Sequence, residues 1–329
     1  MEIADGVFTY RGRGGEKIRP GAGSSSVTVV RGRGDGLVMV DTGVVPGGAF
    51  DDLVSRMRGD GLDPRNVRVV LFTHSHWDHL NAALKIVSRS GAETAAGPGE
   101  IPFIEDRRRN FNAFIPDFAE FAKEIFPFPL PIARLLILYA WGRQPRLKVR
   151  RQLAHGDTID AGREIRVVAL PGHTDGHVGF FIPDVGVLVT GDLVDFENSQ
   201  GMDLNNPRSS YESAVGSIKR AAAIKADILI PGHGDPLVGR QRVHEMLQEA
   251  LSGGIEYPAL IKKVLGETPL RLKEILRGAF PDTPFSTEAM RMMLVLIVLL
   301  HLEKGGGVKR VQEKGRPAWV LGTAQGKRR

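Results

Sequence analysis

The sequence contains no cysteine in 329 residues. Disulfide frameworks and thiolate metal sites are therefore excluded, and any metal must be held by imidazole and carboxylate. No apolar run reaches the ~20 residues that a membrane span needs. The two longest, Leu130 to Trp141 and Met292 to Leu302, read as buried or interface helices, and Arg134 interrupts the first. The opening Met1-Glu2-Ile3-Ala4-Asp5-Gly6 has neither a basic start nor an apolar core, so it does not read as a signal peptide and a cytoplasmic location is expected. Internal repeats and low-complexity tracts are also missing. Charge is not of one sign: the net +6 is modest, although basic residues gather at Arg107-Arg108-Arg109, between Arg143 and Arg151, and at Lys327-Arg328-Arg329. Such clusters read first as solvated faces, and second as contacts for an anionic substrate or a nucleic-acid backbone.

What is present is a globular chain, 42% hydrophobic, of a length that suits about two domains. The first two-thirds alternates β-branched runs with helical periodicity, the pattern of an α/β protein. Strands are expected at Ser26 to Val30, Gly36 to Val40, Val67 to Phe72, Ile165 to Leu170, Val178 to Ile182, Val187 to Thr190 and Asp227 to Ile230. Helices are expected at Ala49 to Arg58, Leu80 to Ser90, Tyr211 to Ile224 and Arg240 to Leu251. Gly12-Arg13-Gly14-Gly15 and Gly32-Arg33-Gly34-Asp35-Gly36 do not lie between a strand and a helix, so they read as hairpin turns and not as phosphate loops.

Two regions break this rhythm. Residues from about 104 to 146 carry Phe111, Phe114, Phe118, Phe121, Phe126 and Phe128 and are basic at their end, which suggests a helical insertion able to cap a site. The Phe stripe reads as core or dimer surface ahead of a lipid pocket. Beyond a first region, taken as 1–252, residues 253–329 show helical patterns at Ile255 to Leu265, Leu270 to Arg277 and Thr287 to Glu303, then a hairpin at Val308 to Leu321. Three helices and a hairpin follow the order of a winged helix. The third helix is too apolar to lie exposed, so it is expected to pack on the first region or on a second copy of the chain, making a homodimer a candidate assembly.

The chemistry concentrates at strand ends. Thr73-His74-Ser75-His76-Trp77-Asp78-His79-Leu80 follows a strand, and alternation puts His74 and His76 on one side while Asp78 and His79 open the next helix. Four ligand-type side chains in six positions are too many for one closed tetrahedral site and imply two neighbouring metals. Pro171-Gly172-His173-Thr174-Asp175-Gly176-His177 adds His173; His177 reads as a residue behind the ligands or facing substrate. Gly191-Asp192 supplies a carboxylate able to bridge two cations, and Pro231-Gly232-His233-Gly234 supplies another imidazole. Asp41 follows the strand ending at Val40. His155, His244 and His301 have no partner cluster and read as structural.

In these motifs the chain resembles the metallo-β-lactamase superfamily, whose hallmark is H-x-H-x-D-H followed by His, Asp and His at later strand ends. The resemblance covers roughly residues 1 to 251 and implies an αββα sandwich. It implies that His74, His76 and His173 hold one divalent metal, that Asp78, His79 and His233 hold the other, and that Asp192 bridges them. Zn is the first expectation, with Mn and Fe suited to the same ligands. Asp41 matches the early aspartate of Val40-Asp41-Thr42-Gly43 and would orient a ligand imidazole through its other ring nitrogen. Two such metals lower the pKa of a bridging water towards neutrality, giving a hydroxide nucleophile that Asp78 could orient.

Thr268-Pro269-Leu270, the segment from Met293 to Val308, and Pro171 to Asp175 resemble the β-lactamase-like protein 2 family, which implies hydrolysis of single-stranded RNA or another phosphodiester. The glyoxalase II and acyl-homoserine lactonase branches imply thioester or lactone hydrolysis instead, with the Phe-rich insertion as an acyl pocket. A third reading, from the winged-helix order, is a nucleic-acid-binding module in which the metal site matters little.

Overall fold

The computed structural model describes residues 1–11, 25–32, 34–44, 48–106, 108–109, 121, 125, 131–132, 135, 146–195, 201–284 and 287–322. Two sheets dominate it. The first runs in the order β1 (Glu2–Ala4), β2 (Val7–Arg11), β3 (Ser26–Arg31), β4 (Leu37–Val40), β5 (Val67–Phe72), β6 (Glu93–Ala96) and β7 (Arg151–Gln152). The second runs β15 (Leu237–Val238), β14 (Ile228–Pro231), β11 (Val187–Gly191), β10 (Val178–Ile182), β9 (Glu164–Ala169) and β8 (Thr158–Asp160). A short pair, β12 (Val194–Asp195) and β13 (Gly201–Met202), stands apart.

Strand alternation divides the core into layers. Val38, Val40 and Leu71 of the first sheet pack with Val167, Val189, Ile228 and Ile230 of the second between the sheets. Their neighbours Leu37, Met39, Val70 and Phe72 face outward onto α1 (Ala49–Gly59) and α3 (Ala83–Ser90). On the far side, Val168, Leu188 and Leu229 face α5 (Tyr211–Ile224) and α6 (Arg240–Val264). Because successive side chains in a strand point to opposite faces, residues that read as one apolar run serve two cores. The result is the αββα sandwich expected above.

Seven strands fall within a residue or so of the expected positions, and the Gly32 to Gly36 segment joins antiparallel β3 and β4. Two helix expectations are corrected. The one at Leu80 to Ser90 is split into α2 (Trp77–Leu80) and α3, because the His79 carbonyl is taken by Thr42, whose backbone N–H and hydroxyl donate to it at 2.7 and 3.0 Å. The helices expected at Arg240 to Leu251 and Ile255 to Leu265 are one continuous helix, α6, which runs through Gly253, Gly254 and Pro258 and across the boundary expected at 252/253. Strands β1, β2, β6, β7 and β8 and helix α4 (Ile101–Glu105) were not anticipated.

The C-terminal region adds α7 (Leu272–Ala279), α8 (Glu288–Lys304) and a hairpin of β16 (Val308–Glu313) and β17 (Arg316–Leu321). Lys314 and Gly315, with φ of 48° and 71°, make the two-residue turn that suits strand twist. Met292 to Leu299 are all buried, in the same core as α5 and α6. The apolar helix is thus covered by its own chain. Of the Phe stripe, Phe111, Phe114, Phe118, Phe126 and Phe128 lie outside the described residues, as do Gly12 to Gly15, Arg33, Arg107, Trp141, Arg143 and Lys327 to Arg329. Phe121 is described: it is buried and stacks on Trp319 of β17 with centroids 5.5 Å apart, which is a core role. Among the described residues no helix is long and apolar enough to cross a membrane.

Candidate metal centre

The residues singled out at strand ends converge on one rim of the sandwich. His74 follows β5, His76 precedes α2, Asp78 and His79 lie in its single turn, His173 follows β9, Asp192 follows β11 and His233 follows β14. Potential ligand atoms of His74, His76, His173 and Asp192 lie within 4.8 Å of one another, and so do those of Asp78, His79 and His233. Asp192 sits between the groups. Its Oδ2 is 3.7 Å from His74 Nε2, 3.5 Å from His173 Nε2 and 3.5 Å from His233 Nε2, while its Oδ1 is 3.3 Å from His79 Nε2. His233 Nε2 is also 3.1 Å from Asp78 Oδ2. The backbone has to come close here: a Cβ at Gly232 would stand 1.8 Å from Asp192 Oδ1.

The hydrogen bonds fix which ring nitrogen faces inward. His79 Nδ1 lies 2.8 Å from Asp41 Oδ2, so Nδ1–H donates outward and Nε2 keeps its lone pair for the centre. Asp41 also accepts from the Thr73 backbone N–H and hydroxyl, at 2.9 and 2.8 Å. With its proton on Asp41, the Thr73 oxygen accepts from His74 Nδ1 at 3.0 Å. One carboxylate therefore orients two imidazoles, one directly and one through a hydroxyl. His173 Nδ1 donates to the Asp203 carbonyl at 3.0 Å, which leaves Nε2 facing His76 Nδ1 across 2.9 Å. His177 Nδ1 donates to the Leu170 carbonyl at 3.1 Å. His177 belongs to neither ligand-type group. His155 instead accepts from the Ala169 N–H, and His301 packs against Tyr211.

This donor set fits divalent metal. Nε2 of His74 and of His79 and Oδ1 of Asp192 are buried without a hydrogen bond, each a cost of about 1–3 kcal/mol unless a cation takes the lone pair. Burial, followed by the charge of His79, holds His74 well below the usual imidazole range. Burial also lowers His177, with help from His173, to about 3. Burial opposes the charged form of His79, but Asp192, Asp41 and Asp78 together outweigh it and raise the imidazole well above its usual range. A metal takes the neutral ring, so an ion bound beside His79 would have to displace the proton that these carboxylates favour there.

Residues 20–233 match the model of the metallo-beta-lactamase superfamily. The chain belongs to that superfamily. This superfamily member is a metal-dependent hydrolase. It is 22% identical over 261 residues to the probable metallo-hydrolase YqjP of Bacillus subtilis, covering 76% of this chain and 79% of that one. It is 28% identical over 192 residues to the hydroxyacylglutathione hydrolase GloC of Haemophilus influenzae, covering 57% of this chain and 77% of the relative. The crystal structure of a metallo-beta-lactamase family protein from Thermus thermophilus superposes with a TM-score of 0.76 at 20% identity, over 97% of this chain and all of the other. That likeness concerns the fold, and it extends through the C-terminal helices and hairpin.

Several residues of the site were not anticipated. Thr73 and Asp203 hold the imidazoles of His74 and His173, while Glu100 and Arg208 reach the loops that carry His74, His76 and His173 from behind. Thr73 adjoins the H-x-H motif and is legible there once Asp41 is placed opposite. Asp203 meets His173 Nδ1 through both its backbone carbonyl, at 3.0 Å, and its carboxylate, at 3.4 Å, and it lies in no motif that announces it.

Proposed function

We propose that this hydrolase works with two divalent ions, one in the His74, His76 and His173 group and one in the Asp78, His79 and His233 group, with Asp192 between them. The observation that carries this is the position of Asp192, whose two oxygens lie 3.3 to 3.7 Å from imidazole nitrogens of both groups. Ions held there would supply an activated water at neutral pH and polarise the bond under attack. The chain's own residues set the rest. Asp78 and His233, with side chains 21% and 23% exposed, and the partly buried His76 mark the side from which substrate enters. Asp78 is the carboxylate there that can orient a water and hold its proton. Asp41, Thr73 and Asp203 fix ring orientation.

For substrate we favour a small carboxylic thioester or ester over RNA. GloC carries the name of a thioester hydrolase, and burial of α8 makes that helix unavailable to a nucleic acid. The basic wing is also partly spoken for, because Arg310 pairs with Glu303 at 2.8 Å. Protein reconstituted with zinc should carry close to two metals per chain by elemental analysis. It should hydrolyse S-lactoylglutathione or a homoserine lactone in preference to single-stranded RNA. No retained metal would sink the metal reading, and RNA cleavage alone would reverse the substrate reading.

A further inference from the structure

Glu100 is fully buried, and nothing in the centre described above uses it. A buried carboxylate costs several kcal/mol unless it is paired and hydrogen-bonded. Here it is saturated. Glu100 Oε2 accepts from the Ser75 N–H at 2.8 Å and from Arg208 Nη1 at 3.1 Å. Oε1 accepts from the Thr174 hydroxyl at 2.8 Å, from the Gly176 N–H at 3.1 Å and from Arg208 Nη2 at 2.6 Å. Ser75 lies between His74 and His76, and Thr174 follows His173. The carboxylate thus grips both loops that carry the first ligand group.

Arg208 completes the grip. Its Nη1 donates to Ser75 Oγ at 2.8 Å and its Nη2 to the Gly99 carbonyl at 3.1 Å, with Asp175 on the outer side. Its guanidinium lies 3.7 Å from the ring centroid of Phe103 on α4. The loop on which it sits holds His173 a second time, because Asn206 Nδ2 and Ser209 Oγ donate to the His173 carbonyl at 2.8 and 2.9 Å. The loops also touch backbone to backbone: a Cβ on Gly99 would stand 2.8 Å from Gly176 Cα, and one on Gly176 would stand 2.7 Å from Gly99 Cα. Ser75 and Glu100 follow strands of the first sheet, whereas Thr174 and Gly176 precede β10 of the second.

We propose that Glu100 and Arg208 form a buried strut of positioning residues that sets the distance between the His74–His76 loop and the His173 loop. The proposal rests on the metal reading for its consequence, while the contacts of the strut itself involve no ligand-type atom. Glu100→Gln keeps the volume but turns one acceptor into a donor facing Arg208 or Ser75. Arg208→Lys keeps the charge but loses the fork that serves Glu100, Ser75 and Gly99 together. Thr174→Val removes a single bond, should Glu100→Gln fold poorly. Arg163→Met, which breaks ion pairs to Asp5 and Asp184 away from the centre, is the control for simple loss of stability.

Two measurements decide the matter. In metal-free protein, amide hydrogen exchange should quicken at residues 73–76 and 172–176 in all three strut variants and stay at the wild-type rate there in Arg163→Met. In cobalt(II)-loaded protein, chelator competition should show one of the two ions held roughly tenfold more weakly in Glu100→Gln and Arg208→Lys, the scale of a lost outer-shell partner, with an altered visible spectrum. Exchange that rises equally across both sheets, or cobalt affinity equal to wild type, overturns the strut. Wild-type protein that binds no cobalt would instead overturn the metal reading, and the exchange result would still decide the strut.

Discussion

Asp41 shows how much a single position carries. It is buried, it adopts φ of 54°, and its two oxygens receive Thr73 and His79. Asparagine tolerates left-handed backbone better than most residues, so Asp41→Asn tests chemistry without adding strain. Affinity should fall about 10–100-fold for both ions in a calorimetric titration, because His79 loses its acceptor and Thr73 loses the acceptor that turns its hydroxyl towards His74. Thr73→Val should weaken only the ion of the His74 group. His177→Gln should retain more metal than His173→Gln, since His177 donates to the Leu170 carbonyl and lies outside both ligand-type groups; equal loss would move His177 into the ligand set. The ligand-type residues were legible in the sequence because their spacing has few explanations other than metal. Glu100 was not, since its partners are mostly backbone N–H groups and a distant arginine, and none of these leaves a local pattern.

At the scale of elements, α6 explains why boundaries were harder to read than strands. Gly253, Gly254 and Pro258 look like a break, yet Leu247, Ala250, Leu251, Gly254, Tyr257 and Ile261 keep one face buried through it. Tertiary packing of that face outweighs propensity. The two glycines then differ sharply. A Cβ at Gly253 would meet nothing within 4 Å, whereas at Gly254 it would lie 2.2 Å from Met202 Cε. Gly253→Ala should stabilise the protein by roughly 0.5–1 kcal/mol, the helix preference for alanine. Gly254→Ala should destabilise it by about 1–3 kcal/mol through overpacking. Urea unfolding of the two variants side by side measures both, and the opposite signs are the point. Strands with two buried faces, such as β4 and β11, were legible because β-branched and aliphatic runs of that length admit little else. The edge strands β7 and β8 are two and three residues long, too short to show a period.

For the whole molecule, the C-terminal helices and hairpin share one core with α5 and α6. Ending the chain after Val264 should expose that surface and cause aggregation, visible by light scattering; a truncated protein that stays monomeric and active would refute the shared core. The intact protein should unfold in a single calorimetric transition. The rim has a consequence at this scale too. Each ligand-type group draws from both sheets: His74 and His76 face His173 and Asp192, and Asp78 and His79 face His233. A bound ion in either group is therefore a cross-link between layers that otherwise meet mainly through aliphatic side chains. If both groups bind metal as proposed, a chain without cysteine would gain a pair of removable staples at one end of its sandwich. Chelation should loosen that end first, so that the seam between the sheets opens like a book held by its far edge.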